Sequence, residues 1–315
     1  GTLAAMTNSG ATWTGTFTPT DGVDDDTNTC TVATSYTDVA GNAGGAGTSA
    51  NYDVDTENPT VSSIGLADTD VVTGDTPTLT IVFSSAVSGF ASADDVTCEN
   101  GALSTMSSSD DITWTGTFTP SGSTTDLTNT CSVGTGYTDD AGNTGVAGQS
   151  ANYKVDTVAP TVSSITFADT ALKAGDTSLV TIVFSEAVTG FANADLSIAS
   201  GTMTAVQNGA GDGITWTSTF TPTADTDDNT NVLGITANSY TDTLGNNGGA
   251  GTSSNYVVET LLPTLTMSIA SDNDVTTLAK SGDTVTLTIT ASETVTSLVC
   301  TIDGEATTMG GSGTS

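Results

Sequence analysis

The feature that most limits how this chain can fold is an internal repeat. Proline, tryptophan and tyrosine return at intervals of 101 to 103 residues, at Pro59, Pro160 and Pro263, at Trp13, Trp114 and Trp216, and at Tyr36, Tyr137 and Tyr240. A fixed period of this length is typical of tandem domains. We expect the back half of one repeat in residues 1–57, whole repeats in 58–158 and 159–261, and the front half of another in 262–315.

Each repeat alternates apolar and polar residues in the way that strands do. Ile214, Trp216, Ser218 and Phe220 share one face of a segment whose other face is threonine. Period-two alternation with β-branched residues outside is typical of half-buried antiparallel strands. The third unit contains seven predicted strands, which cover residues 161–167, 178–185, 195–199, 202–207, 214–221, 231–237 and 253–258. Seven short strands in about a hundred residues predict an all-β, immunoglobulin-like sandwich, with a closed barrel as the alternative.

The charge balance excludes several classes of function. The 315 residues carry a formal charge of −33 and contain neither His nor Arg. Binding nucleic acid or an anionic membrane surface requires clustered Lys and Arg, so neither partner is expected. No apolar run approaches the length of about 20 residues that spans a bilayer. Without His, the Ser-His-Asp and Cys-His arrangements of hydrolases are excluded, and we do not expect an enzyme.

The three tryptophans allow two interpretations. They lie in ATWTGTFTP, ITWTGTFTP and ITWTSTFTP, where Trp13, Trp114 and Trp216 share the inward parity of the phenylalanine four residues later. This parity predicts that they form the centre of each core. The alternative is that they stack on sugars as a ligand site.

The segment PTVSSITFADTALKAGDTSLVTIVFSEAVTG, followed by ITWTSTFTP and SYTDTLGNN, resembles the bacterial immunoglobulin-like repeats of large secreted adhesins and extracellular fibres. The resemblance covers the whole chain. It implies an elongated array of sandwich domains outside the cell or on its surface. Such modules serve mainly as spacers.

Two cysteines fall within one unit. Cys98 and Cys131 align in the next unit with Ile198 and, within one residue, Val232. Paired replacement by apolar residues indicates a buried, facing pair, so we expect a disulfide that bridges the two sheets. Four buried free thiols are the alternative. A disulfide indicates an oxidising, extracellular location.

Acidic loops suggest a calcium site. The strand order places Asp156, Glu186, Asp195 and Asp242 at one end of the third unit. Calcium binds carboxylate and carbonyl oxygens, so calcium is the cofactor that the sequence admits, with a solvated acidic surface as the alternative. Asp38, Asp139 and Asp242 each begin the pattern Asp-x-x-Gly-Asn, in which we expect the aspartate to stabilise a turn.

Two functions remain open. The first is an extracellular structural region that forms a stiff fibre, filament or adhesin stalk, with neighbouring repeats or further copies of the protein as partners. The second is a calcium-dependent adhesion module that binds a surface glycan or a protein ligand. The near-identity of the loops in successive units favours the first, because a ligand site would be confined to one divergent unit.

Overall fold

The structure is a computed structural model that describes residues 1–302 and 305–308. It is almost entirely β, which confirms the predicted fold class. The chain divides into two compact units. The first contains residues 1–159 together with the loop segment 243–246, and the second contains residues 160–242 and 247–315. No described helix is long and apolar enough to cross a membrane.

The first unit begins with short strands in residues 1–57. They are β1 Thr2–Leu3, β2 Thr7–Ser9, β3 Thr12–Thr14, β4 Phe17–Thr18, β5 Asp24–Asn28, β6 Thr31–Val32, β7 Gly47–Thr48 and β8 Tyr52–Asp55. They pair two by two, as β1 with β4, β2 with β3, β5 with β8 and β6 with β7. All of these pairings are antiparallel.

Residues 58–158 form a complete sandwich within the first unit. Its elements are β9 Val61–Leu66, β10 Asp70–Val72, β11 Thr78–Phe83, α1 Ser92–Asp95, β12 Val96–Cys98, β13 Gly101–Leu103, β14 Thr113–Pro120, β15 Thr125–Asn129, β16 Cys131–Val133, β17 Gly148–Gln149 and β18 Tyr153–Asp156. One layer has the order β13-β14-β11-β9. The other consists of β10-β18-β15 and β12-β16-β17. This is the arrangement of an immunoglobulin-like sandwich, as predicted.

The second unit repeats this sandwich. Its elements are β19 Val162–Phe167, β20 Ala171–Lys173, β21 Ser178–Phe184, β22 Val188–Thr189, the 3₁₀ turn Asn193–Asp195, β23 Leu196–Ser197, β24 Gly201–Met203, β25 Thr215–Pro222, β26 Asp227–Asn231, β27 Gly234–Ile235, β28 Thr241–Asp242, β29 Gly251–Thr252 and β30 Tyr256–Glu259. The unit continues with β31 Leu265–Ser271, β32 Val285–Ala291, β33 Val299–Ile302 and β34 Glu305–Thr308. The last four strands pair as two antiparallel hairpins.

Two features of the strands differ from the prediction. Strand β20 lies between the predicted strands 161–167 and 178–185, where no strand is predicted, and it pairs with β30 in parallel. Its counterpart β10 is parallel to β18. The predicted sixth strand, 231–237, is instead divided between β26, which ends at Asn231, and β27, which belongs to another sheet. Short three-residue strands carry too little alternation for the sequence pattern to reveal them.

The centres of the two cores consist of tyrosine and phenylalanine, and the tryptophans Trp114 and Trp216 pack against them. Tyr137, Tyr153, Phe83 and Phe118 are the large buried side chains of the 58–158 core, and Trp114 packs against it only partly buried. Trp216 is half-buried in the same way against the core of the next repeat.

Trp13 lies outside a core, because 60% of its surface is exposed. The Trp114 indole meets the Phe90 ring edge-on with centroids 5.0 Å apart, and Ile81 lies opposite it on the next strand.

Candidate functional site

The recurring Asp-x-x-Gly-Asn loops are tight turns held by the aspartate, as predicted for Asp38 and Asp139. In the first loop, Asp38 Oδ1 accepts N–H groups from Ala40 at 2.9 Å and Asn42 at 2.8 Å. The Asn42 side-chain amide donates to Asp38 Oδ2 at 2.8 Å. That side-chain bond, followed by the backbone bond from Asn42, lowers the pKa of Asp38. Gly41 has a φ of 89°, which a residue with a side chain adopts rarely.

In the second loop the asparagine also reaches outside its own turn. Asn143 Nδ2 donates to Asp139 Oδ2 at 3.0 Å, which repeats the bond seen in the first loop. The same nitrogen lies 3.2 Å from the carbonyl oxygen of Asp55 and 3.3 Å from Asp55 Oδ1. Asp55 ends strand β8, so this amide ties the exit of residues 1–57 to the 58–158 sandwich. We call these contacts the asparagine clamp.

Neighbouring groups hold the same stretch of chain. The Val146 N–H donates to the carbonyl oxygen of Pro59 at 2.9 Å, and the Tyr137 hydroxyl donates to the carbonyl oxygen of Val146 at 2.7 Å. Gly145 lies flat against the Tyr137 ring, where a Cβ would come within 2.3 Å of ring carbons. The loop is therefore close-packed at this position.

The third loop makes an equivalent contact within the first unit, to which residues 243–246 belong. Asn246 Nδ2 donates to the carbonyl oxygen of Asp156 at 2.9 Å. Its Oδ1 accepts the backbone N–H of Thr73 at 3.1 Å. The Asn246 side-chain amide therefore bonds to the backbone just beyond β10 and at the end of β18, as a peptide group would. It extends the hydrogen bonding between these two strands by one residue pair.

Two of the residues predicted as calcium ligands, Asp156 and Asp195, accept hydrogen bonds within their own repeats. Asp156 is buried, and its Oδ1 accepts the Thr125 hydroxyl at 2.9 Å and the Val158 N–H at 3.1 Å. Asp195 closes the 3₁₀ turn, where its Oδ2 accepts the Ala192 N–H at 2.7 Å. These bonds give both carboxylates a structural role within their own repeats.

Glu186 and Asp242 form the pair that could hold a metal within the second unit. Their carboxylate oxygens lie within 4.8 Å of each other, and Asp242 is buried whereas Glu186 is half-buried. Asp242 is held in place by strand β28, which pairs with β22 in the register Val188 to Asp242. Two carboxylates at this distance present hard oxygen ligands of the kind that calcium prefers. In the preceding repeat, Ser85 aligns with Glu186, so the pair has no counterpart there.

Cys98 and Cys131 are joined by a disulfide in the structure. The expectation that it bridges the two sheets is wrong. The residues are direct partners on β12 and β16, two adjacent antiparallel strands of one layer. The corresponding pair of strands in the next repeat, β23 and β27, places the buried Leu233 at the position of Cys131, and Val232 is exposed. The side chain at the position of Cys131 is therefore Leu233, one residue after Val232.

The family of the chain follows from its sequence and this architecture. A family model described as a bacterial Ig-like domain matches residues 1–54, 55–155 and 156–258. The chain belongs to the bacterial Ig-like domain family. Its repeats are bacterial Ig-like repeats in tandem, as the resemblance implied.

Other comparisons are more distant. The structure of invasin, a bacterial integrin-binding protein, aligns with a TM-score of 0.33 and 13% identity over 84% of this chain and 57% of the invasin chain. FdeC, an adhesin of Escherichia coli, aligns with a TM-score of 0.30 and 18% identity over 78% of each chain. No curated protein sequence matches the chain. The assignment to bacterial Ig-like repeats therefore depends on the family match alone.

Sequence reasoning missed the two asparagines that act outside their own turns. The signal was present, because Asn143 and Asn246 recur at the end of every Asp-x-x-Gly-Asn motif. The pattern assigned the motif to a local turn. It contained nothing to indicate that the amide also reaches Asp55 or Asp156.

Proposed function

We propose that these bacterial Ig-like repeats are the spacer region of an extracellular fibre or adhesin stalk, and that their role is mechanical rather than catalytic. The observation that carries the proposal is the asparagine clamp on Asp55, which fixes the entry of the chain into the 58–158 repeat. A spacer projects its tip reliably only when successive repeats are held at defined angles. Free linkers would let the repeats rotate independently.

The surfaces of the repeats agree with a spacer. The outward face of β14 carries Thr115, Thr117 and Thr119, all exposed, and the formal charge of −33 keeps such β-rich surfaces soluble. The Asp-x-x-Gly-Asn loop recurs at Asp38, Asp139 and Asp242, which favours a structural role over a ligand site confined to one unit. The partners in this proposal are neighbouring repeats or further copies of the protein.

Electron microscopy of the whole chain tests the proposal. We expect a string of beads, each roughly 30–40 Å long if strands rise about 3.3 Å per residue. In class averages, the angle between adjacent beads should be narrowly distributed. The Asn143→Ala variant should broaden that distribution, whereas Asn42→Ala, which removes an amide that donates to Asp38 in its own turn, should not. Compact particles, or equally broad angles in all three proteins, would contradict the spacer role.

We propose as a second function that calcium binds in the loops of the 159–261 repeat. The proposal is supported by the Glu186 and Asp242 carboxylates, whose oxygens lie within 4.8 Å of each other. Calcium would neutralise two like charges, one of them on a buried side chain, and so stabilise the folded repeat.

Melting in calcium and in chelator tests this second proposal. Calcium should raise the melting temperature of the 159–261 repeat and leave that of 58–158 unchanged, because Ser85 replaces Glu186 there. The two transitions are distinguished by reductant, which acts only on the repeat with the disulfide. Glu186→Gln should abolish the calcium effect, with Glu99→Gln as a control on an unrelated loop. Equal melting temperatures of the 159–261 repeat with and without calcium would contradict the proposal.

A further inference from the structure

The chain contains Asn-Gly dipeptides at Asn100, Asn208 and Asn247. Asparagine followed by glycine is the sequence in which a side-chain amide is most easily lost, because glycine has no side chain to shield its backbone nitrogen. The reaction requires that this nitrogen reach the side-chain carbonyl carbon, Cγ, of the asparagine. Whether a given pair reacts therefore depends on how firmly the fold holds these two groups.

The fold holds a reacting group in two of the pairs. Asn100 Nδ2 donates to Asp126 Oδ2 at 2.9 Å and to Asn129 Oδ1 at 2.6 Å, which fixes the amide. In the third pair, the Gly248 N–H donates to the carbonyl oxygen of Tyr240 at 2.9 Å. Gly248 also packs against the Tyr240 ring. In both cases a group would have to leave its partner before it could react.

Asn208 lies in the loop between β24 and β25, and its groups are not held in this way. Its Oδ1 is buried but accepts no hydrogen bond from the described part of the chain. Its Nδ2 and the Gly209 N–H likewise have no hydrogen-bond partner among the described residues. The Asn208 carbonyl oxygen accepts the Gly211 N–H at 3.2 Å, which closes a turn. The reacting groups of this pair therefore need not break a hydrogen bond first.

The loop also has room to change conformation. A Cβ placed on Gly209 would meet no atom within 4 Å. The later half of the loop is held separately, because Asp212 Oδ1 accepts the N–H groups of Ile214 and Thr215 at 2.8 and 3.0 Å. A change at Asn208 therefore need not disturb the start of β25.

We propose that Asn208 is a site of spontaneous deamidation, at which water converts the side-chain amide into a carboxylate. The Gly209 nitrogen bonds to Asn208 Cγ, the bond between Cγ and Nδ2 breaks, and Nδ2 leaves as ammonia with the proton from Gly209. Water then opens the cyclic succinimide. Opening at Cγ gives aspartate, and opening at the backbone carbonyl gives isoaspartate, in which the chain continues through the side chain. No oxidant or reductant takes part.

The modification distinguishes the two complete repeats. The corresponding loop of the 58–158 repeat is shorter and contains no asparagine between Met106 and Ile112. Deamidation of Asn208 would add a negative charge to the loop that already contains Asp212, and isoaspartate would also lengthen its backbone. The proposal does not depend on the spacer role. In a chain that persists outside the cell, the modified fraction would rise with age.

Peptide mapping of the whole chain after storage in mildly alkaline buffer tests the proposal. A protease that cleaves after aromatic residues separates the three pairs, because they lie within 91–114, 192–216 and 241–256. The 192–216 peptide should gain the mass difference between an NH2 and an OH group, and an isoaspartate methyltransferase should label it. The other two pairs should react about tenfold more slowly, or slower still, because a hydrogen bond must break first.

Unfolding the chain provides the control for the role of the structure. In concentrated guanidinium chloride the three pairs lose their different surroundings, so their rates of deamidation should become similar. Equal rates in the folded protein would contradict the proposal. A 192–216 peptide that stays unmodified in the folded protein, while the unfolded chain reacts, would contradict it as well.

Gly209→Ala distinguishes the succinimide route from direct hydrolysis of the amide. The added methyl group fits the folded loop but shields the backbone nitrogen. The melting temperature should therefore be unchanged, and deamidation of Asn208 should be several-fold slower. Ala210→Ser, one residue further on, leaves the reacting nitrogen as it is and should deaminate no more slowly than the unmodified chain at Asn208. An unchanged rate in Gly209→Ala would overturn the proposed route.

Discussion

The side-chain nitrogen of Asn143 lies 3.2 Å from the carbonyl oxygen of Asp55 and 3.3 Å from its carboxylate. One amide therefore connects the last strand of residues 1–57 with a loop of the following sandwich. The side-chain amide of Asn42 donates to Asp38 in its own turn, as that of Asn143 donates to Asp139.

Loss of the Asn143 amide should free the chain between Asp55 and Pro59. We expect Asn143→Ala to accelerate amide hydrogen exchange in this segment by the equivalent of about 1–3 kcal/mol, the usual cost of leaving polar partners unsatisfied. Asn42→Ala loses the equivalent turn bond and serves as the matched control. Equal exchange of this segment in the two variants would contradict a role for the contact with Asp55.

Removing the disulfide should destabilise one repeat selectively. For the 33-residue separation between Cys98 and Cys131, loop closure contributes about 3–4 kcal/mol in the chain-entropy model. The double variant Cys98→Ser/Cys131→Ser should lower the melting temperature of the 58–158 repeat. That of the 159–261 repeat should not change, because Leu233 fills the position of Cys131 there. A shift of both transitions would indicate that the two repeats unfold as one.

Acid should destabilise the repeats through aspartates on the β15 and β26 strands. The N–H of Thr128 is the main group that lowers the pKa of Asp126, and the N–H of Thr230 does the same for Asp228. A carboxyl group whose pKa is lowered in the folded state stabilises the fold at pH values above its ordinary pKa, which is near 4. This stabilisation is lost as the pH falls below that value.

The acid effect should be measured in high salt. Protonation also relieves the repulsion among the 36 acidic residues, and this would oppose the loss of stability. In about 1 M salt the Debye length is about 3 Å, which screens that repulsion. We expect melting temperatures to be level above pH 5 and to fall below about pH 4, with a shallower fall in Asp126→Asn. A curve for Asp126→Asn identical to that of the unmodified chain would exclude Asp126 as a contributor.

Alkali should act through Tyr153. Burial, with smaller effects from the negative charges of Glu99 and Asp126, raises the pKa of Tyr153 to about 12. Because folding favours the neutral phenol, its stabilising effect is present below about pH 10 and is lost as the pH rises through 12.

Tyr153→Phe tests this alkaline effect. The variant also loses the hydroxyl bond to the Glu99 carbonyl oxygen, so its stability at neutral pH should be lower. Its further loss between pH 10 and pH 12, followed by circular dichroism, should be smaller than in the unmodified chain. Tyr52→Phe, at the aligned and exposed position, is the control. Parallel curves for all three proteins would contradict the prediction.

The indoles should differ in accessibility. Trp13 is 60% exposed, whereas Trp114 and Trp216 are half-buried against Phe90 and Phe191. In variants of the whole chain that retain one tryptophan each, we expect acrylamide to quench Trp13 fluorescence most strongly and its emission to lie furthest to the red. Equal quenching of the three would show that Trp13 is covered in solution.

The fold class was accessible from the sequence because two signals agreed. The repeat of 101 to 103 residues and the alternation in strands such as β14 and β25 both predict tandem sandwiches. The parallel partner strands β10 and β20 were not accessible, because three residues between turns contain barely one cycle of alternation. Parity likewise placed Trp13 on the inward face without revealing how much of that face is covered.

The site was less predictable than the fold. Charge and strand order drew attention to Asp156 and Asp195, yet each of these carboxylates accepts hydrogen bonds within its own repeat. The groups that tie neighbouring segments together are neutral amides. A neutral side chain leaves no mark on charge patterning, and its partners are separated from it by 88 and 90 residues.

The contact between Gly145 and the Tyr137 ring limits how such arrays can diversify. A methyl group at Gly145 would overlap the ring carbons, and Gly248 meets Tyr240 in the same manner. Glycine and tyrosine must therefore be inherited, or recombined, as a couple whenever modules are shuffled. The threonine surfaces face no comparable restriction and are the natural place to introduce variation when artificial chains of these modules are assembled.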